Sequence, residues 1–124
     1  MRRQSRLIAL SLLLLAPAAP ALAQNAAAGA VVFKQRCSTC HTLTPGQRHG
    51  VGPNLAGLAG RPAASGDFNY SSALRSSGLT WDAATLDRFL AAPSKVVPGT
   101  RMLIPLTDAK QRADVVAYLG TLNR

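Results

Sequence analysis

The segment Cys37-Ser38-Thr39-Cys40-His41 constrains this chain more than any other. It sets two thiols two residues apart, with an imidazole immediately after them. C-x-x-C-H at this spacing is the pattern of covalent haem attachment. Each sulfur can add to one porphyrin vinyl group, giving two thioethers. The adjacent histidine is then carried against the porphyrin face, where a ring nitrogen can reach iron. The motif by itself leaves other readings open. C-x-x-C also serves as a disulfide redox pair or as half of a zinc site, and an exported chain with two cysteines can simply carry a disulfide. No βαβ pattern of the kind a thioredoxin-type pair needs is visible. A zinc site would want further ligands, and the chain has only two Cys and one other histidine, His49.

The 124 residues fit one domain behind an export signal. Arg2, Arg3 and Arg6 form a basic start, Leu7 to Leu15 is an apolar run broken only by Ser11, and Ala21-Leu22-Ala23 is an A-x-A cleavage site. The run is too short to span a bilayer comfortably. Residues 1–23 are therefore expected to be a cleaved secretory signal, residues 24–124 the working domain, and the periplasm its location. The signal carries three of the 14 Lys and Arg and none of the five acidic residues, which leaves 11 against 5, or a net charge of +6. A basic chain this small suits nucleic acid, an anionic membrane or an acidic protein. Export argues against nucleic acid, and no stable membrane insertion is expected once the signal is gone. An acidic protein partner fits best. All six aromatic residues lie after residue 23. A domain of this length has a small core, and a haem would supply a large apolar body for that core to pack on.

Asn25 to about Arg36 reads as a helix with Ala26, Gly29, Ala30, Phe33 and Cys37 on one face. Glycine is costly in a helix interior, so Gly29 implies close approach of another helix. Thr42 to Gly60 is a loop punctuated by glycine and proline. Within it His49 reads as structural, and the Pro53 carbonyl is available to the second nitrogen of a ligating imidazole. A short helix is expected near Ser71–Ser76. The next helix is expected to take Thr80 as N-cap and Asp82 at its positive end, to show Leu79, Leu86, Phe89 and Leu90 on its apolar face, and to stop before Pro93. Residues 93–106 hold three prolines and Gly99 and read as loop. Met102 lies in that loop and is the only methionine after the signal; its soft thioether favours ferrous iron. A last helix begins at Thr107-Asp108, with Val115, Tyr118, Leu119 and Leu122 at helical spacing.

Together these residues resemble class I c-type cytochromes of the mitochondrial and bacterial soluble type. The resemblance rests on Gly29 and Phe33, the C-x-x-C-H, Gly52-Pro53-Asn54-Leu55, Gly57-Leu58-Ala59-Gly60-Arg61, Phe68, Tyr70, Trp81, Pro98-Gly99-Thr100-Arg101-Met102 and Tyr118-Leu119. It implies an all-α cytochrome c fold: three main helices plus short ones wrapped around one haem c, attached through Cys37 and Cys40. It implies His41 and Met102 as the two axial ligands. It also implies that Tyr70 and Trp81 hydrogen-bond a haem propionate with Arg61 nearby, and that the last helix crosses the first at Gly29. The function implied is one-electron transfer between redox proteins by a monomer, not an enzyme, because an iron with both axial sites filled offers none to substrate. Lys34, Arg36, Lys95 and Arg101 form a candidate positive ring for acidic docking surfaces. The alternative is a haem sensor or peroxidase-like protein with a labile Met102. Its acid–base partner is missing, since the chain has no Glu and His49 is the one spare histidine. Three departures stand out. Phe89 replaces a common tyrosine, Leu74 a common asparagine, and the segment after Met102 is one residue short, with Ile104 where an aromatic often lies.

Overall fold

The computed structural model describes residues 16, 17 and 23–122. Most of the export signal expected over residues 1–23 lies outside the described residues. Among those described, five helices form: α1 (Ala26–Arg36), α2 (Ser72–Arg75), α3 (Ala83–Ala91), α4 (Pro93–Val96) and α5 (Ala109–Gly120). They contain no strand and no helix long and apolar enough to cross a membrane.

Short polar side chains decide where the helices start. Asn25 accepts from the Ala28 N–H at 3.0 Å, Ser71 from Leu74 at 3.1 Å, Asp82 from Thr85 at 2.7 Å and Asp108 from Gln111 at 2.8 Å. Each satisfies a donor that the first helical turn leaves without a partner. Two expectations are corrected here. Thr80 is not the N-cap of α3. It is held in an antiparallel bridge with Pro62, and Trp81 N–H donates to the Arg61 carbonyl at 2.9 Å, so the chain stays extended until Asp82. Leu79 therefore precedes α3 rather than lying on its face. Residues 93–106 are not all loop either. Pro93 opens α4, because its fixed φ suits a first helical turn and its missing N–H is not needed there. Ala92 (φ −156°, ψ 76°) breaks the chain between α3 and α4, as the residue before a proline tends to do.

The first and last helices close on each other. A Cβ at Gly29 would overlap the Asp114 carbonyl and come within 2.8 Å of Tyr118 Cβ, so the contact exists only because residue 29 has no side chain. Beside it Phe33 and Tyr118 meet edge to face, with centroids 6.0 Å apart. A polar clamp ties the same ends. The buried Asp114 carboxylate accepts from the Asn25 N–H at 2.9 Å and from Lys110 Nζ at 2.5 Å. The Lys110 ammonium holds the Asp114 carboxyl below the usual carboxylate range, against the cost of burial. From α5, Val115 and Leu119 face a core shared with Val32 and Phe33 of α1 and Leu86 and Phe89 of α3. Val32 belongs to the buried face of α1 although it falls outside the expected set. Leu122 lies just past α5 and still packs against the core.

Candidate haem site

After α1 the chain turns tightly. Cys37 N–H donates to the Phe33 carbonyl at 2.8 Å, and both Cys40 and His41 N–H donate to the Cys37 carbonyl, at 3.1 and 3.0 Å. This turn sets Cys37, Cys40 and His41 on the wall of one cavity of about 550 Å³, within the ~300–1,000 Å³ typical of ligand sites. Met102 lines the same cavity, although it lies 61 positions beyond His41. Pro53, Arg61, Tyr70 and Trp81 line it as well, so all eight candidate residues meet there.

The two cysteines are unbridged, and burial raises the Cys37 thiol above its ordinary value, against the opposing charge of Arg36. A redox-active dithiol needs the reverse shift. Among the described residues no cluster of three His, Cys, Asp or Glu able to hold a metal forms around them.

His41 is oriented by the loop that follows it. Its Nδ1 lies 2.8 Å from the Pro53 carbonyl. A carbonyl only accepts, so Nδ1 carries the proton and Nε2 keeps its lone pair. Burial also lowers the imidazole below its ordinary value, more than the Pro53 bond restores, which favours the neutral, ligating form. Gly52 makes room for the ring. Its N–H donates to the Cys40 carbonyl at 2.9 Å, and a Cβ there would lie 2.5 Å from His41 Cε1. Asn54 fixes the next turn, its side chain donating to the carbonyls of Thr44 (2.8 Å) and Gln47 (3.0 Å) and accepting from the Ala56 N–H at 2.8 Å. Sequence reading found the G-P-N-L motif but not the role of its asparagine, since the partners lie in a loop without periodicity.

Met102 is half-buried on a segment anchored from three sides. Gly99 adopts φ 92° against Ala73 Cβ, the buried Thr100 donates its N–H to the Val97 carbonyl at 3.0 Å, and Arg101 Nη1 donates to the Asn69 carbonyl at 2.6 Å. Thr100 was not among the candidate residues. Trp81, also on the cavity wall, is 7% exposed and meets Phe89 edge to face at 5.0 Å. The buried Arg61 Nε has no protein partner, although it belongs to a cation lining the cavity. A buried donor left this way costs about 1–3 kcal/mol, and an anionic group on a bound ligand would relieve it. Leu58, Leu74, Leu86, Phe89, Leu90 and Val115 make the remaining wall apolar. At the rim Val51, Leu103 and Ile104 are exposed by 81%, 68% and 66%.

A haem fits these residues. Its apolar ring has a greasy, suitably sized cavity, its two vinyls have two free thiols, and its propionates have an unpaired buried guanidinium donor. The comparisons agree. The family model for cytochrome c matches residues 26–123. A cytochrome c2 of Rhodomicrobium vannielii is 50% identical over 95 residues, spanning 75% of this chain and 75% of its own. A cytochrome c2 of Rhodoblastus acidophilus is 47% identical, over 75% and 88%. The structure of cytochrome cH from Methylobacterium extorquens superposes with a TM-score of 0.73 at 45% identity, covering 78% of this chain and 98% of that one. This chain belongs to the cytochrome c family, as a monohaem class I member carrying haem c covalently through Cys37 and Cys40.

Proposed function

We propose that this protein is a periplasmic one-electron carrier, with the haem iron held between His41 and Met102. The observation that carries the reading is the convergence of Met102 on the cavity wall that also holds Cys37, Cys40 and His41. Bound haem supplies a reversible one-electron couple. His41 offers Nε2, with Pro53 holding the opposite nitrogen. Met102 offers a thioether from the far segment. Leu86, Phe89 and Val115 exclude water, so the pocket need not reorganise much when charge changes. Arg61, Tyr70 and Trp81 are assigned to the propionates, the unpartnered Arg61 Nε being the strongest support. If His41 and Met102 both hold the iron, no open site would be left on it for substrate, which would make the chain a carrier and not an enzyme.

Residues 1–23 are assigned as the cleaved export signal and the working form as a monomer. Donor and acceptor are redox proteins with acidic docking surfaces. Lys34, Arg36, Lys95 and Arg101 are all exposed, as a steering ring requires, and Arg101 also lines the cavity.

The test is the visible spectrum of the reduced protein with and without carbon monoxide, for wild type and for Met102→Ala. Wild type should give a sharp low-spin spectrum that ignores the gas. The variant should bind the gas and have a lower reduction potential. A wild-type spectrum that shifts on adding carbon monoxide would move the sensor or peroxidase-like reading ahead. A variant identical to wild type would remove Met102 from the iron.

A further inference from the structure

Met102 rides on a stretch of chain that is held at its two ends. Upstream, Thr100 N–H donates to the Val97 carbonyl at 3.0 Å, and Arg101 Nη1 donates to the Asn69 carbonyl at 2.6 Å. Among the described residues, no hydrogen bond holds the backbone of Leu103, Ile104 or Pro105, and all three are exposed. Downstream the chain is caught again at Leu106, whose N–H donates to the Leu90 carbonyl of α3 at 2.8 Å. There one side chain from α5 takes hold of it. Arg112 donates from Nη1 to the Leu106 carbonyl at 3.1 Å and to the Thr107 carbonyl at 2.8 Å, and from Nε to Asp87 Oδ1 of α3 at 2.8 Å.

We propose that Arg112 is a positioning residue for Met102: by gripping the Leu106 and Thr107 carbonyls it holds the Met102 stretch shut, so that the thioether stays on the iron and no outside ligand takes its place. The inference rests on the proposed ligation of iron by Met102. A segment with few backbone bonds of its own opens at lower free energy than the core beneath it, so its anchors decide how often it opens. A guanidinium suits the task, because its N–H groups form a rigid planar fork. Three residues lie between Met102 and Leu106, and one of them is Pro105 with its φ fixed, so little slack separates the anchor from the sulfur.

The bonds to the carbonyls outweigh the ion pair. Asp87 is 48% exposed, and ion pairs open to water contribute little. Hydrogen bonds from a charged donor are among the strong ones. The Arg112 side chain is 13% exposed and Leu106 is buried, so the Leu106 carbonyl has little water to turn to once the guanidinium is gone.

The test uses the holoprotein and reads two quantities. One is amide hydrogen exchange at Leu106, which reports opening of the stretch whatever the iron does, beside exchange at Phe33 in α1, which reports global unfolding. The other is the rate at which cyanide binds the ferric haem, which waits for the sixth position to empty. An anchor that breaks when the stretch opens must protect against both openings. Arg112→Gln should therefore speed exchange at Leu106 and cyanide binding by about ten- to a hundredfold. Arg112→Lys, which keeps the charge without the fork, should restore part of the loss. Asp87→Asn leaves both carbonyl bonds in place and should stay within about twofold of wild type. Gly29→Ala, which weakens the fold away from the stretch, is the control and should speed exchange at Phe33 alone. Arg112→Gln behaving like that control would show a merely structural arginine and overturn the proposal. Asp87→Asn matching Arg112→Gln would also overturn it, since the ion pair would then be the anchor. Met102→Ala gives the cyanide rate of an open sixth position and separates the two levels of inference. If wild type already binds cyanide as fast as Met102→Ala, Met102 is not on the iron, and the ligation reading falls with the proposal. If wild type is slow and Arg112→Gln equally slow, Met102 stays on the iron and the proposal alone is overturned.

Discussion

Replacing Gly29 with alanine sets two physical effects of opposite sign against each other. In an ordinary helix interior alanine is favoured over glycine by about 1 kcal/mol. Gly29 is not in an ordinary interior, because an added Cβ would overlap the Asp114 carbonyl and stand 2.8 Å from Tyr118 Cβ. Non-bonded carbons rest at about 3.5–4.0 Å, so α1 and α5 must part by something on the order of 1 Å. Asp114 cannot give way by a rotamer change, since the obstructing atom is helical backbone. Overpacking of this kind costs about 1–3 kcal/mol, and loosening the Phe33–Tyr118 pair adds about 0.5–1.5 kcal/mol. After the helix gain is subtracted, the variant should be less stable by about 1–3 kcal/mol, a large share of the ~5–15 kcal/mol typical of a domain. Guanidinium unfolding of the holoprotein, followed by helical circular dichroism, should show a lower midpoint at unchanged slope. Gly120→Ala is the control. It alters the last residue of α5, where an added Cβ meets nothing within 4 Å, and should leave the midpoint unchanged or slightly higher. A Gly29→Ala midpoint at or above wild type would refute the close crossing of the two chain ends.

Two further perturbations probe the site and the clamp. Gly52→Ala should push the His41 ring off the Pro53 carbonyl, since the new Cβ would lie 2.5 Å from Cε1. The reduced variant should then bind carbon monoxide in part, and a spectrum identical to wild type would show that the ring moves freely. Asp114→Asn probes acid stability. Because Lys110 lowers the native Asp114 carboxyl, the ionised group favours the folded state. That contribution is complete above the unfolded value near ~3.9 and is lost as pH falls through the lower native one. The variant should be less stable than wild type at pH 7, with the difference shrinking below about pH 4; a constant difference across that range would contradict the clamp.

Much of the fold was legible because it rests on local chemistry. The starts of α1 at Asn25 and of α5 at Thr107-Asp108, and the stop before Pro93, follow from side-chain oxygens and ring geometry within a few residues. The start of α3 was misread because Thr80 satisfies the same local rule as Asp82. The bridge between Thr80 and Pro62, a pairing across the chain, decided between them. The start of α4 was missed because three prolines and a glycine outweigh a four-residue helix in any local reading.

The candidate site divides in the same way. The sequence by itself pointed to the covalent chemistry once the C-x-x-C-H was joined to the motifs that follow it, because two thiols and an imidazole at fixed spacing lie within one turn of chain and need no tertiary contact to face together. It also singled out Met102 by type and count. Only the tertiary structure decided that Met102 reaches that cavity, that Arg61 keeps a buried donor without a protein partner, and that His41 and His49 share one peptide. Each of these depends on loops between residues 42 and 106, whose course is set by side chain to backbone hydrogen bonds rather than by any repeating pattern of apolar residues. Such bonds join whichever groups the fold brings together, and that juxtaposition leaves no periodicity in the sequence.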